Sequence, residues 1–105
     1  MDYQKVRKQF IPMSETMFYI LLSLREERHG YGIMLFVREL TGQRLVLGAG
    51  TIYQSLGKLE RGGLIAATKE TGRKKQYVIT DTGYIILTEE AMRIREMCRD
   101  MEGLL

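Results

Sequence analysis

Thr51, Gln54, Ser55 and Lys58 recur at i, i+3, i+4 and i+7, a spacing that gathers them on one face of a helix. These side chains suit a polyanion. Gln can bond bidentately to adenine, Thr and Ser bond bases less selectively, and Lys holds phosphate. Ile52, Leu56 and Leu59, at i, i+4 and i+7, make a separate apolar stripe able to anchor the same helix. A helix divided in this way can enter a DNA major groove, its first half meeting base edges. Lys58, one turn further on, is better placed for a phosphate. Soon afterwards come three consecutive cations, Arg73, Lys74 and Lys75. On a hairpin tip beside such a helix they would hold flanking phosphates, and Arg73 could reach into a minor groove. Lys69 adds to this patch and Glu70 subtracts from it. A plainer reading also stands, in which the polar stripe is a solvated face and the cations a solubilising turn.

The remaining segments must position these groups. Tyr3, Val6 and Phe10 fall at i, i+3 and i+7 and predict a short leading helix before Pro12, the only proline. Ser14 is a good N-cap for a helix that runs to about Arg28, with Met17, Ile20, Leu21 and Leu24 inward and His29-Gly30 as its stop. A second helix fits residues 31–40, with Tyr31, Met34, Val37 and Leu40 inward, ended by Gly42. Residues 45–47 read as a small strand. The helix carrying Gln54 begins near Ala49 and stops at Gly62-Gly63. Within it Gly57 costs about 1 kcal/mol against Ala, which close approach of another helix would explain. Residues 64–69 and 76–79 are strand-like, with Thr71-Gly72 as the turn, and Asp81 can cap a last helix. The fold class expected is mainly α with a small β part (α+β): a winged helix-turn-helix. Its divisions are a leading helical segment at 1–12, the winged domain at 13–80 and a terminal helix at 81–105.

That terminal helix carries a second pattern. Tyr84, Leu87, Ala91, Ile94, Cys98, Met101 and Leu105 alternate by three and four, an average of 3.5 residues. Such a seam either pairs with a second copy or packs on its own domain. Ile85, Ile86, Met92 and Met97 widen the apolar surface enough to serve both. Cys98 reads as a small buried apolar residue, and Glu89 with Arg93 as an i, i+4 pair outside the seam.

Bulk properties narrow the classes. With 105 residues, 45% hydrophobic and 28% charged, the chain is ordinary globular material for one domain, where a second copy would help. Its net charge of +3 permits a polyanionic partner without requiring one. One cysteine and one histidine (Cys98, His29) exclude an intrachain disulfide and a cysteine-pair metal site, and nothing assembles a catalytic constellation. No enzyme activity, cofactor or metal is expected. No apolar run nears the roughly 18 residues of a membrane span, and the first ten residues lack a secretory signal's apolar core. The expectation is a cytoplasmic protein.

Four stretches then carry a resemblance. HGYGI at 29–33, GTIYQSLGKLERGGLI at 50–65, GRKKQYVIT at 72–80 and DTG at 81–83 resemble the PadR-like family of transcriptional regulators, in order and spacing over roughly residues 13–105. The short C-terminus is similar to the small subfamily with a single dimerisation helix. The resemblance implies a homodimeric DNA-binding repressor, relieved in some members by a flat aromatic effector held between subunits; two-fold pairing through the last helix would select a pseudo-palindromic operator. It also implies that Tyr53 meets the DNA backbone, whereas its ring could equally pack beside Ile52. Met92, Met97, Met101, Tyr3 and Phe10 would line an effector pocket, or be plain core. The chain departs from the family at Gly48-Ala49, where Ser-Pro is common, so no DNA contact is carried over to position 48. The rival reading is a winged-helix protein-interaction module that binds no DNA.

Overall fold

The computed structural model describes residues 2–71 and 74–105, Thr71 by its backbone alone. The Thr71-Gly72 turn and Arg73 therefore fall wholly or partly outside the described residues. The order is α1 (Tyr3–Phe10), α2 (Glu15–Ser23), β1 (Arg28–His29), α3 (Gly30–Leu40), α4 (Ala49–Arg61), β2 (Ile65–Thr71), β3 (Lys74–Ile79) and α5 (Asp81–Asp100). This is the expected α+β winged helix-turn-helix.

Local signals account for most starts. The Asp2 carboxylate accepts from the N–H groups of Gln4 and Lys5, Ser14 Oγ from that of Met17, and Thr80 Oγ1 from that of Gly83. Thr80, rather than the expected Asp81, is thus the cap of α5. Asp81 sits in the first turn, where its charge favours the helix dipole. Gly48 caps α4 with no side-chain hydrogen bond.

Two expectations fail between α2 and α4. α2 ends at Ser23, and His29 starts the next helix instead of stopping this one: its Nδ1 accepts from the Gly32 N–H at 3.1 Å. The segment between them supplies β1, which pairs Arg28 with Tyr77 and His29 with Gln76. The sheet is antiparallel in the order β1-β3-β2. By contrast, residues 45–47 form no strand. There Thr41 Oγ1 accepts from the Leu45 N–H at 3.1 Å, while Leu47 turns into the core and Val46 stays exposed.

One core joins the pieces. Ile20, Leu21, Leu24, Ile33, Val37, Leu56, Leu59, Leu64 and Ile86 are buried to within 1% exposure. Each such side chain is worth about 1.5–3 kcal/mol of transfer free energy. Tyr31 and Leu40, expected inward, are 61% and 54% exposed. Val6 and Phe10 fasten α1 to this core, and the Phe10 ring lies against Gly62 at the end of α4.

α5 begins inside the core and leaves it. Gly83, Ile86, Leu87 and Glu90 are buried, and beyond Glu90 no residue is. Leu87, expected on the outward seam, is therefore covered mainly by its own domain. The acidic pair on α5 is also wired differently from the expected Glu89–Arg93 pair. Glu89 receives Arg7 of α1 through both carboxylate oxygens, the closer Nε contact at 2.8 Å. Arg93 instead bonds the buried Glu90, which also accepts the Met13 N–H. Cys98 is exposed on the single chain rather than buried.

Candidate nucleic-acid interface

α4 divides as its spacing requires. Ile52, Leu56 and Leu59 are 2%, 1% and 0% exposed, so that side is fully committed to the core. Thr51, Gln54 and Lys58 are exposed on the other side, and Ser55 is half-buried between the two. Gly57 has no helix pressed against it; the nearest group is the Arg61 guanidinium, which folds back along α4 to 3.1 Å from an ideal Cβ there. The expected reason for that glycine is thus replaced by a milder one.

The hairpin runs from β2 to β3 with Ile65 opposite Ile79 and Thr71 opposite Lys74. Lys74 and Lys75 are exposed near its tip. A register break between Ala67 and Lys69 marks a bulge. Near it Lys69 lies 3.4 Å from Glu27, so its charge is already answered. The Glu27 carboxyl is held below its ordinary range, first by hydrogen bonding to Thr68 and then by Lys69. Lys69 thus adds less to the cationic patch than its charge suggests. Tyr77 anchors the inner side of β3 at 7% exposure, and burial pushes its hydroxyl upward.

Tyr53 reaches across to the next helix in space. Its ring lies over Gly30 at the start of α3, and 59% of the residue remains exposed. Tyr31 stands across a cleft of about 130 Å³ that Gly30, Ala49 and Ile52 help to line. Its ring is stacked on His29, centroids 6.5 Å apart. Sequence reasoning missed this aromatic pairing because it turned Tyr31 inward. The signal was available: shortening the preceding helix to make His29 a cap rotates Tyr31 out.

On α5 the groups of the expected seam separate. Tyr84, Ala91, Ile94, Cys98, Met101 and Leu105 are exposed, with Ile85, Met92, Met97 and Leu104 beside them. Met92 and Tyr84 also line a cleft of about 390 Å³ between α2 and α5, floored by Phe18 and Leu22, with Arg25 and Arg95 on its wall. Phe10, at 5% exposure, is unavailable to any such pocket. Among the described residues no group of three His, Cys, Asp or Glu is arranged for a metal, and no helix is long and apolar enough to cross a membrane.

A core-anchored helix with a polar outer face, followed by an antiparallel hairpin with cations near its tip, defines a winged helix-turn-helix protein. Residues 19–89 match the family described as the transcriptional regulator PadR-like family. The chain belongs to that family, whose members are regulators of transcription and not enzymes. It is 32% identical over 89 residues to the transcriptional regulator YqjI of Escherichia coli, covering 84% of this chain and 43% of that protein. It is similar to Bacillus subtilis PadR in complex with operator DNA, at 34% identity and TM-score 0.63, covering 74% of this chain and 47% of the other. A transcriptional regulator from Clostridium thermocellum shares the fold over 100% of this chain and 98% of its own, with TM-score 0.74 and 19% identity. The chain thus spans less than half the length of YqjI and of PadR.

Proposed function

We propose that the protein is a homodimeric repressor that binds a pseudo-palindromic duplex operator sequence-specifically. The observation that carries this reading is the two-sided α4: three apolar residues sealed in the core and Thr51, Gln54 and Lys58 free on the opposite side. In this reading Thr51, Gln54 and Ser55 meet base edges, while Lys58 and Tyr53 contact the backbone. Lys74 and Lys75 hold flanking phosphates, and Arg73 is assigned there on sequence alone. The operator complex of the related PadR supports the mode of binding. Repression follows the family resemblance.

Dimerisation is assigned to the outward part of α5, through Tyr84, Ala91, Ile94, Cys98, Met101 and Leu105, with Leu87 contributing at its edge. A run of exposed apolar side chains this long supports a covering partner, and a second copy has the matching surface. Two α4 helices would then read half-sites about one helical turn apart. Relief by a small-molecule effector is supported by the cleft between α2 and α5, whose volume of about 390 Å³ and partly aromatic lining suit a small ring system.

The test separates reading from holding. On a duplex selected from a random pool by the wild-type protein, Gln54→Ala should change base preference at one position of each half-site, by about 1–3 kcal/mol. Lys74→Ala should weaken all sequences alike and lower the salt slope by about one unit for each phosphate it no longer neutralises. No binding to any duplex at low salt would leave the interaction-module reading in its place.

A further inference from the structure

Gly30 is buried, yet its backbone has no need of glycine: among the described residues the positive-φ positions are Gly42, Gln43, Gly63 and Gly103. At the first position of α3 an alanine would ordinarily be favoured, since glycine loses more chain entropy on folding. What requires the bare Cα is Tyr53. A Cβ built at residue 30 would lie 3.0 Å from the Tyr53 hydroxyl oxygen, 3.1 Å from Cζ and 3.4 Å from Cε1. The tip of the ring therefore rests in the space a side chain would fill. The contact is one-sided, because 59% of Tyr53 faces solvent. Its hydroxyl has no hydrogen-bond partner among the described residues, whereas Arg44 donates to that of Tyr19.

We infer that Gly30 is a positioning residue for Tyr53: the glycine lets the phenol ring lie down on α3 and so fixes its hydroxyl where α4 presents it to the DNA backbone. This deepens the proposed function and rests on it. With any side chain at 30 the ring tip must lift by a few tenths of an ångström or more. The hydroxyl would then lose the length and angle on which a hydrogen bond to phosphate depends. Stability and binding should therefore move in different directions, which a merely structural glycine would not produce.

The experiment is a double-mutant cycle with Gly30→Ala and Tyr53→Ala on a short duplex enriched by the wild-type protein from a random-sequence pool. Affinity is read by fluorescence anisotropy at fixed salt, and the thermal midpoint of each variant is read alongside. G30A should keep or raise the midpoint while weakening binding about threefold to tenfold, the scale of one impaired hydrogen bond. Y53A should weaken binding at least as much, and G30A added to it should change affinity less than about twofold. Equal weakening by G30A with and without Tyr53 overturns the inference while leaving DNA binding intact. So does wild-type affinity in G30A or in Y53A, or a G30A that loses midpoint together with affinity. Absence of duplex binding by the wild type removes the proposed function and this inference with it.

Discussion

Glu90 is a fully buried carboxylate, and replacing it tests how α5 is fastened to the N-terminal half of the chain. Its side chain has no solvent exposure, yet it accepts from the Met13 N–H and from two nitrogens of Arg93, one of them at 3.1 Å. Burial alone would raise its pKa. The Arg93 hydrogen bonds, the Met13 N–H and the Arg93 charge outweigh burial and hold the group below its ordinary value of 4.5. Glu90→Leu keeps a similar volume, and Arg93, with 35% of its side chain exposed, can turn toward water. What remains is a Met13 N–H without an acceptor, a cost of about 1–3 kcal/mol. At roughly 4–8 °C per kcal/mol for a domain near this size, E90L should melt roughly 4–24 °C lower, with about 8–16 °C at the middle cost of about 2 kcal/mol. E90Q keeps an acceptor for Met13 and loses the charge assistance, about 1 kcal/mol. A folded pKa below the unfolded one makes the contribution complete above about pH 4.5 and lost as pH falls through the folded value. E90Q should therefore lose stability less steeply on acidification. Part of the slope stays with Glu89 and Glu27, lowered chiefly by hydrogen bonds from Arg7 and Thr68. Urea titrations across pH at one protein concentration measure both effects. An E90L midpoint equal to wild type, or an E90Q acid limb parallel to it, refutes the account.

Two glycines give an ordered pair of outcomes. At Gly83 an added Cβ would lie 2.8 Å from Ile79 Cγ1 and 2.9 Å from the Leu64 carbonyl carbon, with its oxygen nearer still. That carbonyl is pinned by the Thr80 N–H at 3.0 Å, so Gly83→Ala should cost about 3 kcal/mol, at the upper end for overpacking. Gly62→Ala meets the Phe10 ring at 2.5 Å, a side chain that can move with α1, and should cost about 1–2 kcal/mol. Chemical denaturation giving the reverse order would contradict the packing argument. Ile94→Glu with Met101→Glu should turn the proposed dimer into a natively folded monomer in sedimentation equilibrium; a dimer unchanged by them takes this face of α5 out of the interface, and a monomeric wild type removes the proposed dimer.

Much of the fold was legible because its strongest elements repeat. The stripe Ile52, Leu56, Leu59 and the cap Ser14 are local signals, and the structure follows them. β1 was not legible: two residues, Arg28 and His29, show no alternation, and only pairing with Tyr77 and Gln76 makes them a strand. The apolar run at 45–47 misled for the same reason, since Leu47 is wanted by the core and Thr41 satisfies the backbone at Leu45. At the candidate interface, residue types named Gln54 and Lys58, but the Tyr53–Gly30 contact joins two helices and has no periodic trace. The DTG motif was visible as a string; its reason, a glycine pressed on the Leu64 carbonyl, is tertiary.

The same limit explains why α5 reads as one helix and behaves as two parts. A spacing of three and four runs unbroken from Tyr84 to Leu105, so periodicity alone assigns the whole stripe to a single job. Burial divides it at Glu90. Ile86 and Leu87 share the core of α2 and α4, and the two glutamates hold α1 through Arg7 and the entrance of α2 through Met13. Beyond that point the helix leaves its domain with Ile94, Met97 and Met101 uncovered. The buried half fastens the base of the exposed half to the rest of the domain. A pair joined through the exposed half would then hold its two reading helices at a set distance, which recognition of evenly spaced half-sites demands. A flexible attachment there would leave each α4 a separate, weak reader. In the proposed dimer, the ion pairs at the base of α5 would therefore bear on spacing as well as on stability.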